Sequence, residues 1–212
     1  MNGIFVIGTD TGVGKTAVCA GLLKMMRRQK SAAFWKPVQT GAIHGDDTAE
    51  VKALTQLDSS CFIEPAFRFP EPLSPYMAAK KWGKTIALEP MVETVRKNIQ
   101  EDRFLIVEGA GGLLVPYDSH WMQIDLIKAT GFPVLLVGKD KVGVINQALL
   151  TIEALKRAAI PLLGMILTSS TGTGANSKVI EEFGKISVLL ELLPKEDKKL
   201  LMTEVERGVR LS

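Results

Sequence analysis

Little in this sequence points outside the cytoplasm. Of its 212 residues only two are cysteine, Cys19 and Cys61, and only two are histidine. Neither cysteine belongs to a CxxC pair or a histidine-rich cluster, which excludes a disulfide framework and a thiolate zinc site. Two buried, reduced thiols are the expectation. Long apolar runs are missing as well. No stretch approaches the roughly 18 apolar residues of a membrane span, and the run at 1–8 has no basic segment before it. Charge of one sign is scarce: 26 Lys and Arg stand against 23 Asp and Glu, a net +3. That balance gives no general case for nucleic acid or an anionic membrane, but leaves room for a few lysines at a small anion.

What the chain does have is apolar residues, 46% of the total. At 212 residues it suits one compact α/β domain with a sizeable core. Residues 3–8, 32–36, 104–108, 133–138, 162–168 and 186–190 read as strands. They are continuous apolar runs, as expected of strands covered on both faces. Helical patterns fill 15–28, 47–57, 89–100, 121–130, 143–159 and 176–185, and 196–209 reads as a charged terminal helix. Alternation of this kind predicts a doubly wound, mostly parallel sheet flanked by helices on both faces. In such sheets ligands bind beyond the carboxyl ends of the strands. Residues 65–84, with four prolines, read as a long surface excursion.

The first strand runs into Gly8-Thr9-Asp10-Thr11-Gly12-Val13-Gly14-Lys15-Thr16 and then a helix, the context a phosphate loop requires. Glycines let backbone N–H groups turn around an anion, and the helix N-terminus adds partial positive charge. Lys15 is placed to reach β- and γ-phosphates, and the Thr16 hydroxyl to ligate Mg2+. Five residues separate Gly8 from Gly14-Lys15, one more than the common pattern. Deviant loops of partitioning and septum-positioning ATPases carry a second lysine where this chain has Asp10.

Two other strand ends carry charge. Lys36 precedes Pro37, which holds it extended at the strand edge; it is suited to a phosphoryl group or a carboxylate, or to plain solvation. Neither Lys15 nor Lys36 is expected in the core. Glu108 closes an apolar strand and is followed by Gly109-Ala110-Gly111-Gly112. A carboxylate there requires compensation, from Mg2+ and phosphates or from a structural ion pair. Asp46 and Asp47 open a helix, where an N-cap and a metal ligand are both possible roles for neighbouring aspartates. His44, in the turn before them, has no assigned role.

Together these segments resemble the dethiobiotin synthetases, a family of the P-loop NTPase class, along nearly the whole chain. Gly-Thr-Asp-Thr-x-Val-Gly-Lys-Thr at 8–16, Lys-Pro-Val at 36–38 and Glu-Gly-Ala-Gly-Gly at 108–112 match that pattern. Gly143-Val144-Ile145-Asn146-Gln147-Ala148 is similar to the family's substrate-carboxylate helix. The resemblance implies ATP, CO2 and 7,8-diaminopelargonate as substrates. One amine captures CO2 as a carbamate, the carbamate attacks the γ-phosphate to form a carbamic-phosphoric anhydride, and the second amine closes the ring. No covalent enzyme intermediate is called for; catalysis rests on placing anions together and offsetting their repulsion.

By the same resemblance Lys15 and Lys36 stabilise the reacting charges, and Thr16, Asp47 and Glu108 form the Mg2+ set. Thr11 and Thr40 meet the diamine–carbamate end. Gly12, Val13, Gly14, Lys15, Thr16 and Ala17 cradle the nucleotide phosphates, with Glu108, Gly109, Ala110 and Gly111 alongside. Gly111, Gly112, Leu113 and Val115 line the substrate pocket. Gly143, Val144, Ile145 and Asn146 of a second subunit hold the distant carboxylate, so a homodimer with shared sites is implied. Thr168 and Ser169 stand where many members carry Asn-Asp to read adenine; a threonine hydroxyl lacks the planar amide array, and weaker discrimination for ATP is expected. Leu192, Leu193 and Pro194 are placed at the base. Two alternatives remain: a P-loop amidoligase of the cobyrinate diamide synthase type, for whose usual glutaminase domain 212 residues leave no room, and a regulatory P-loop ATPase. Asp10 and the lack of a basic amphipathic anchor count against the latter.

Overall fold

The computed structural model describes residues 1–43, 45–170, 172–194 and 197–210. His44 and Glu196, the expected start of the terminal helix, lie outside them.

Strand β1 (Gly3–Gly8) explains the unbroken apolar runs. Phe5 and Ile7 enter one buried cluster, while Ile4 and Val6 enter another on the opposite face. Successive side chains point to opposite faces, so a strand covered on both must be apolar throughout. The same alternation holds in β2 (Ala32–Trp35), β6 (Phe104–Glu108), β7 (Val134–Lys139) and β8 (Leu162–Thr168). With β4 (Phe62–Ile63) and β9 (Val188–Glu191) they form a seven-stranded parallel sheet in the order β4-β2-β6-β1-β7-β8-β9. Helices α1 (Lys15–Arg27), α2 (Asp47–Thr55) and α8 (Lys198–Gly208) feed one cluster. Helices α4 (Glu89–Gln100), α5 (Gln123–Thr130), α6 (Val144–Arg157) and α7 (Ala175–Gly184) feed the other. The expected doubly wound architecture is the one observed.

Three details differ from the sequence reading. The segment 65–84 is not a surface excursion. It holds β5 (Phe67–Arg68), paired in parallel with β3 (Val38–Gln39), and helix α3 (Pro75–Lys81), and it buries Phe69, Ala78 and Ala79. Pro75 sits in the first turn, where proline starts a helix rather than breaking one. Helix α5 begins at Gln123 rather than 121, because Met122 bridges back to Pro116. The charged terminal helix carries an apolar face, Met202 and Val205, which packs on α1 at Gly21. Among the described residues no helix is long and apolar enough to cross a membrane.

Candidate active site

Strand parity gathers the site. Ile4 and Val6, Phe34, Ile106, Leu135 and Val137, and Ile166 all face α1. Two residues on from the last of these in each strand come Gly8, Lys36, Glu108, Lys139 and Thr168. All five therefore emerge on the α1 face at the carboxyl ends of their strands. The pairing of Trp35 with Val107 sets Lys36 level with Glu108. The pairing of Lys139 with Thr168 does the same on the other side of β1.

At the Lys36 end, the ammonium lies 2.6 Å from Asp47 Oδ2 and 2.9 Å from Glu108 Oε1. The two aspartates at the start of α2 divide their tasks. Asp46 caps the helix, its Oδ1 accepting the Ala49 N–H at 2.9 Å, which leaves the Asp47 side chain to the site. Gln39 Oε1 accepts the Asp47 N–H at 3.0 Å and fixes the helix start. Thr16 Oγ1 lies 3.3 Å from Asp47 Oδ1 and 3.2 Å from Glu108 Oε1. Both lysines are buried, Lys15 to 7% exposure and Lys36 to 6%, against the expectation that they stand clear of the interior. For Lys36 the reason is the parity just described; Lys15 opens α1 and its side chain turns back to the Asp10 carbonyl within the phosphate loop.

The charges are unequal in comfort. Burial alone lowers the Lys36 pKa, but Glu108 and Asp47 more than reverse this and hold the ammonium charged. Burial also pushes Asp47 upward, yet Lys36 outweighs it and the carboxyl titrates below its ordinary range. Glu108 stays raised, because its complete burial exceeds what Lys36 returns. Lys15 is lowered by burial, which Glu108 opposes only in part. The site is short of positive charge at Glu108, whose Oε2 is buried without a hydrogen-bond partner. A divalent cation fits that deficit. Among the described residues no cluster of three or more Asp, Glu, His or Cys could cage a metal. Mg2+ shared with phosphates and waters needs only one or two carboxylates, and Thr16, Asp47 and Glu108 supply two with a hydroxyl.

The phosphate loop turns on glycine. Gly14 adopts φ 93° at the α1 N-cap, a conformation that a Cβ disfavours. Lys15 Nζ rests on the Asp10 carbonyl at 3.3 Å. Asp10, which stands in place of a deviant lysine, accepts the Thr11 N–H at 2.7 Å and pairs with Lys141 at 3.3 Å.

A cavity of about 730 Å³ opens over these groups. Thr11 and the cradle Gly12–Ala17 line it, as do Lys36, Thr40, Asp47, Glu108, Ala110, Gly111, Val115, Thr168 and Ser169. Other expected residues lie elsewhere. Gly109 is buried against Gln123, Gly112 sits below the loop near the Gly8 carbonyl, and Leu113 belongs to the core. Leu192 is a core residue, Leu193 is exposed beside Gly172, and neither Leu193 nor Pro194 lines the cavity. Residues Gly143–Asn146 do not line it either, and Val144 is buried to 1% exposure. Thr168 has a task other than reading a base: its hydroxyl donates to the Val13 carbonyl at 2.8 Å and props the loop.

Some lining residues had no sequence signal. Pro72, Leu73 and Ser74 form one wall, strapped down where the Gly41 N–H donates to the Glu71 carbonyl at 2.7 Å. Lys198 and Leu201 of α8, with Glu50 of α2, form another. Gln123 acts from beneath: its Oε1 accepts the Ala110 N–H at 2.6 Å and its Nε2 donates to the Gly112 carbonyl at 2.7 Å, fixing the glycine turn after Glu108. Gln123 is fully buried, and nothing in the sequence marks it for this task.

A glycine loop opening a helix at the end of a central parallel strand, with a hydroxyl and two carboxylates beside its lysine, defines a P-loop nucleoside-triphosphate-using protein. A family model described as an AAA domain matches residues 2–199. The MinD-containing cell division complex of Aquifex aeolicus shares the fold, with TM-score 0.60 at 12% identity over 97% of this chain and 87% of that one. The ATP-dependent dethiobiotin synthetase BioD of Paramagnetospirillum magneticum is 40% identical over 195 residues, 92% of this chain and 89% of its own. The BioD of Bacillus licheniformis is 36% identical over 198 residues, 89% of this chain and 84% of its own. The chain belongs to the dethiobiotin synthetase family.

Proposed function

We propose that this cavity performs the ATP-dependent carboxylation and ring closure of 7,8-diaminopelargonate with CO2, giving dethiobiotin, ADP and phosphate. The observation that carries the reading is Lys36, bracketed by Asp47 and Glu108 opposite the phosphate loop. Ring closure through a carbamate and a carbamic-phosphoric anhydride brings two anions together, and a buried, permanently charged lysine offsets their repulsion. Lys15 does the same for the transferred phosphoryl group. The Gly12–Ala17 backbone holds the triphosphate, and Thr11 and Thr40, at the cavity wall, receive the diamine–carbamate end. Mg2+ on Thr16, Asp47 and Glu108 would neutralise phosphate charge.

The acid end of the substrate is assigned to Gly143, Val144, Ile145 and Asn146 of a second copy, at a helix N-terminus suited to a carboxylate. In support, that helix start is absent from its own chain's cavity, while Val142 and Leu150 expose large apolar side chains close to it in sequence. With two free, buried cysteines, a cytoplasmic setting is assigned. The test is phosphate release from ATP with and without the diamine and bicarbonate. Release should depend on both. Equal release without the diamine would instead mark a regulatory ATPase.

A further inference from the structure

The Lys36, Asp47 and Glu108 cluster fixes one end of the cavity at β2 and β6, and the phosphate loop follows β1. A triphosphate laid along the loop leaves its nucleoside over the other half of the sheet, where Thr168 and Ser169 line the cavity at the end of β8. Ser169 has φ 55°, left-handed backbone that a residue with a Cβ adopts only when its surroundings impose it. On one side it is held by Thr168, bonded to the phosphate loop. On the other side Ser170 is wholly buried; its N–H donates to the Leu192 carbonyl at 2.8 Å and its hydroxyl donates to Glu191 Oε2 at 2.5 Å. The same hydroxyl oxygen accepts the Gly172 N–H at 3.2 Å. The second oxygen of Glu191 accepts the Ser177 hydroxyl at 2.5 Å, in the first turn of α7. One carboxylate at the end of β9 thus ties down both ends of the β8–α7 connection.

We propose that Glu191 is a positioning residue of the nucleotide site: by clamping Ser170 and Ser177 it holds the Ser169 main chain against the nucleoside end of the bound triphosphate. Nothing in the role requires Glu191 to touch the ligand, and it rests on the reading of this cavity as a nucleotide site. The short, charge-assisted geometry explains how a single side chain sustains the Ser169 conformation.

The inference is tested by comparing two probes, ATP and inorganic tripolyphosphate, which lacks a nucleoside. Calorimetric titration of Glu191→Ala should show the ATP Kd raised about tenfold, the scale of one lost charge-assisted hydrogen bond, and the tripolyphosphate Kd unchanged. Glu191→Gln, which keeps an acceptor for one serine, should recover most of the ATP affinity. If Glu191→Ala does not fold, Ser170→Ala breaks one arm of the clamp, together with the Gly172 contact, and leaves the Ser177 arm in place; it should give the same split by a smaller factor. Equal weakening of both probes, or no weakening of ATP, overturns the positioning role. Wild-type protein that binds tripolyphosphate but gains nothing from the nucleoside overturns it too, while leaving the phosphate site intact. Failure of wild type to bind either probe sinks the nucleotide reading itself.

Discussion

Lys36 is the residue on which the charge balance of the site turns. It is 6% exposed and serves two carboxylates, so its removal would leave Glu108 and Asp47 facing each other without their ion-pair partner. Breaking a buried pair this way costs about 3 kcal/mol, and losing a preorganised charge costs roughly 10^2-fold or more in turnover. Lys36→Ala should therefore lower both stability and activity. Lys15 behaves differently. Burial already disfavours its ammonium, and its hydrogen-bond contact is the Asp10 carbonyl at 3.3 Å. Lys15→Ala should lose comparable turnover with little change in stability. Pairing Lys36→Ala with Glu108→Gln should restore most of the lost stability and none of the activity, because the orphaned charge is gone but the catalytic one is not returned. Urea titrations of the three variants decide the matter. A Lys36→Ala midpoint equal to wild type would mean the carboxylates do not depend on that lysine.

At the scale of elements, the walls of the site depend on how closely helices approach. A Cβ on Gly21 of α1 would lie 2.6 Å from the Met202 carbonyl and 2.6 Å from Val205 Cβ of α8. Gly21→Ala improves helix propensity by about 1 kcal/mol, but backbone in contact cannot yield cheaply, and overpacking costs about 1–3 kcal/mol. Net destabilisation is expected. ATP should also bind more weakly, because Lys198 and Leu201 reach the cavity from α8. A rise in melting temperature with unchanged ATP binding would show that α8 moves freely. This dependence was not legible in the sequence. Helical periodicity announces α8 but not that it packs on α1, and its charge masks the Met202–Val205 face. The prolines of 65–84 suggested irregularity, whereas Pro75 opens a helix and the preceding turn forms a cavity wall. Strand ends were legible for a physical reason. Lys36, Glu108 and Thr168 each terminate an apolar run, and parity carries them all to one face. Thr168 lines the cavity, but its hydroxyl is committed to Val13, a contact 155 positions away that no local pattern reveals.

The whole molecule raises the question of where a long diamino acid ends. Its amines must meet the phosphate loop, yet within one chain the start of α6 is absent from the cavity that holds Lys36 and Lys15. In the two-fold dimer proposed above, a second α6 start would meet each cavity without adding a domain. The first N–H groups of a helix lack intrahelical partners. Val144 N–H is already engaged by the Lys141 carbonyl at 3.0 Å, which leaves Gly143, Ile145 and Asn146 of the proposed acid site to meet a carboxylate. A charge introduced at Val144 would be buried in the core, so the exposed Asn146 is the place to disturb the acid site. Asn146→Asp adds negative charge that repels a carboxylate while favouring the helix N-terminus, so the fold should survive. Mixed with Lys36→Ala, each inactive alone, it gives dimers in which one site carries both defects and the other neither. Random reassortment makes about half of the dimers mixed, so roughly a quarter of wild-type activity should return. Mass measurement of the exchanged dimers comes first, and a monomer at assay concentration already counts against a shared site. Complete exchange with no recovery of activity would place both ends of the substrate within one chain.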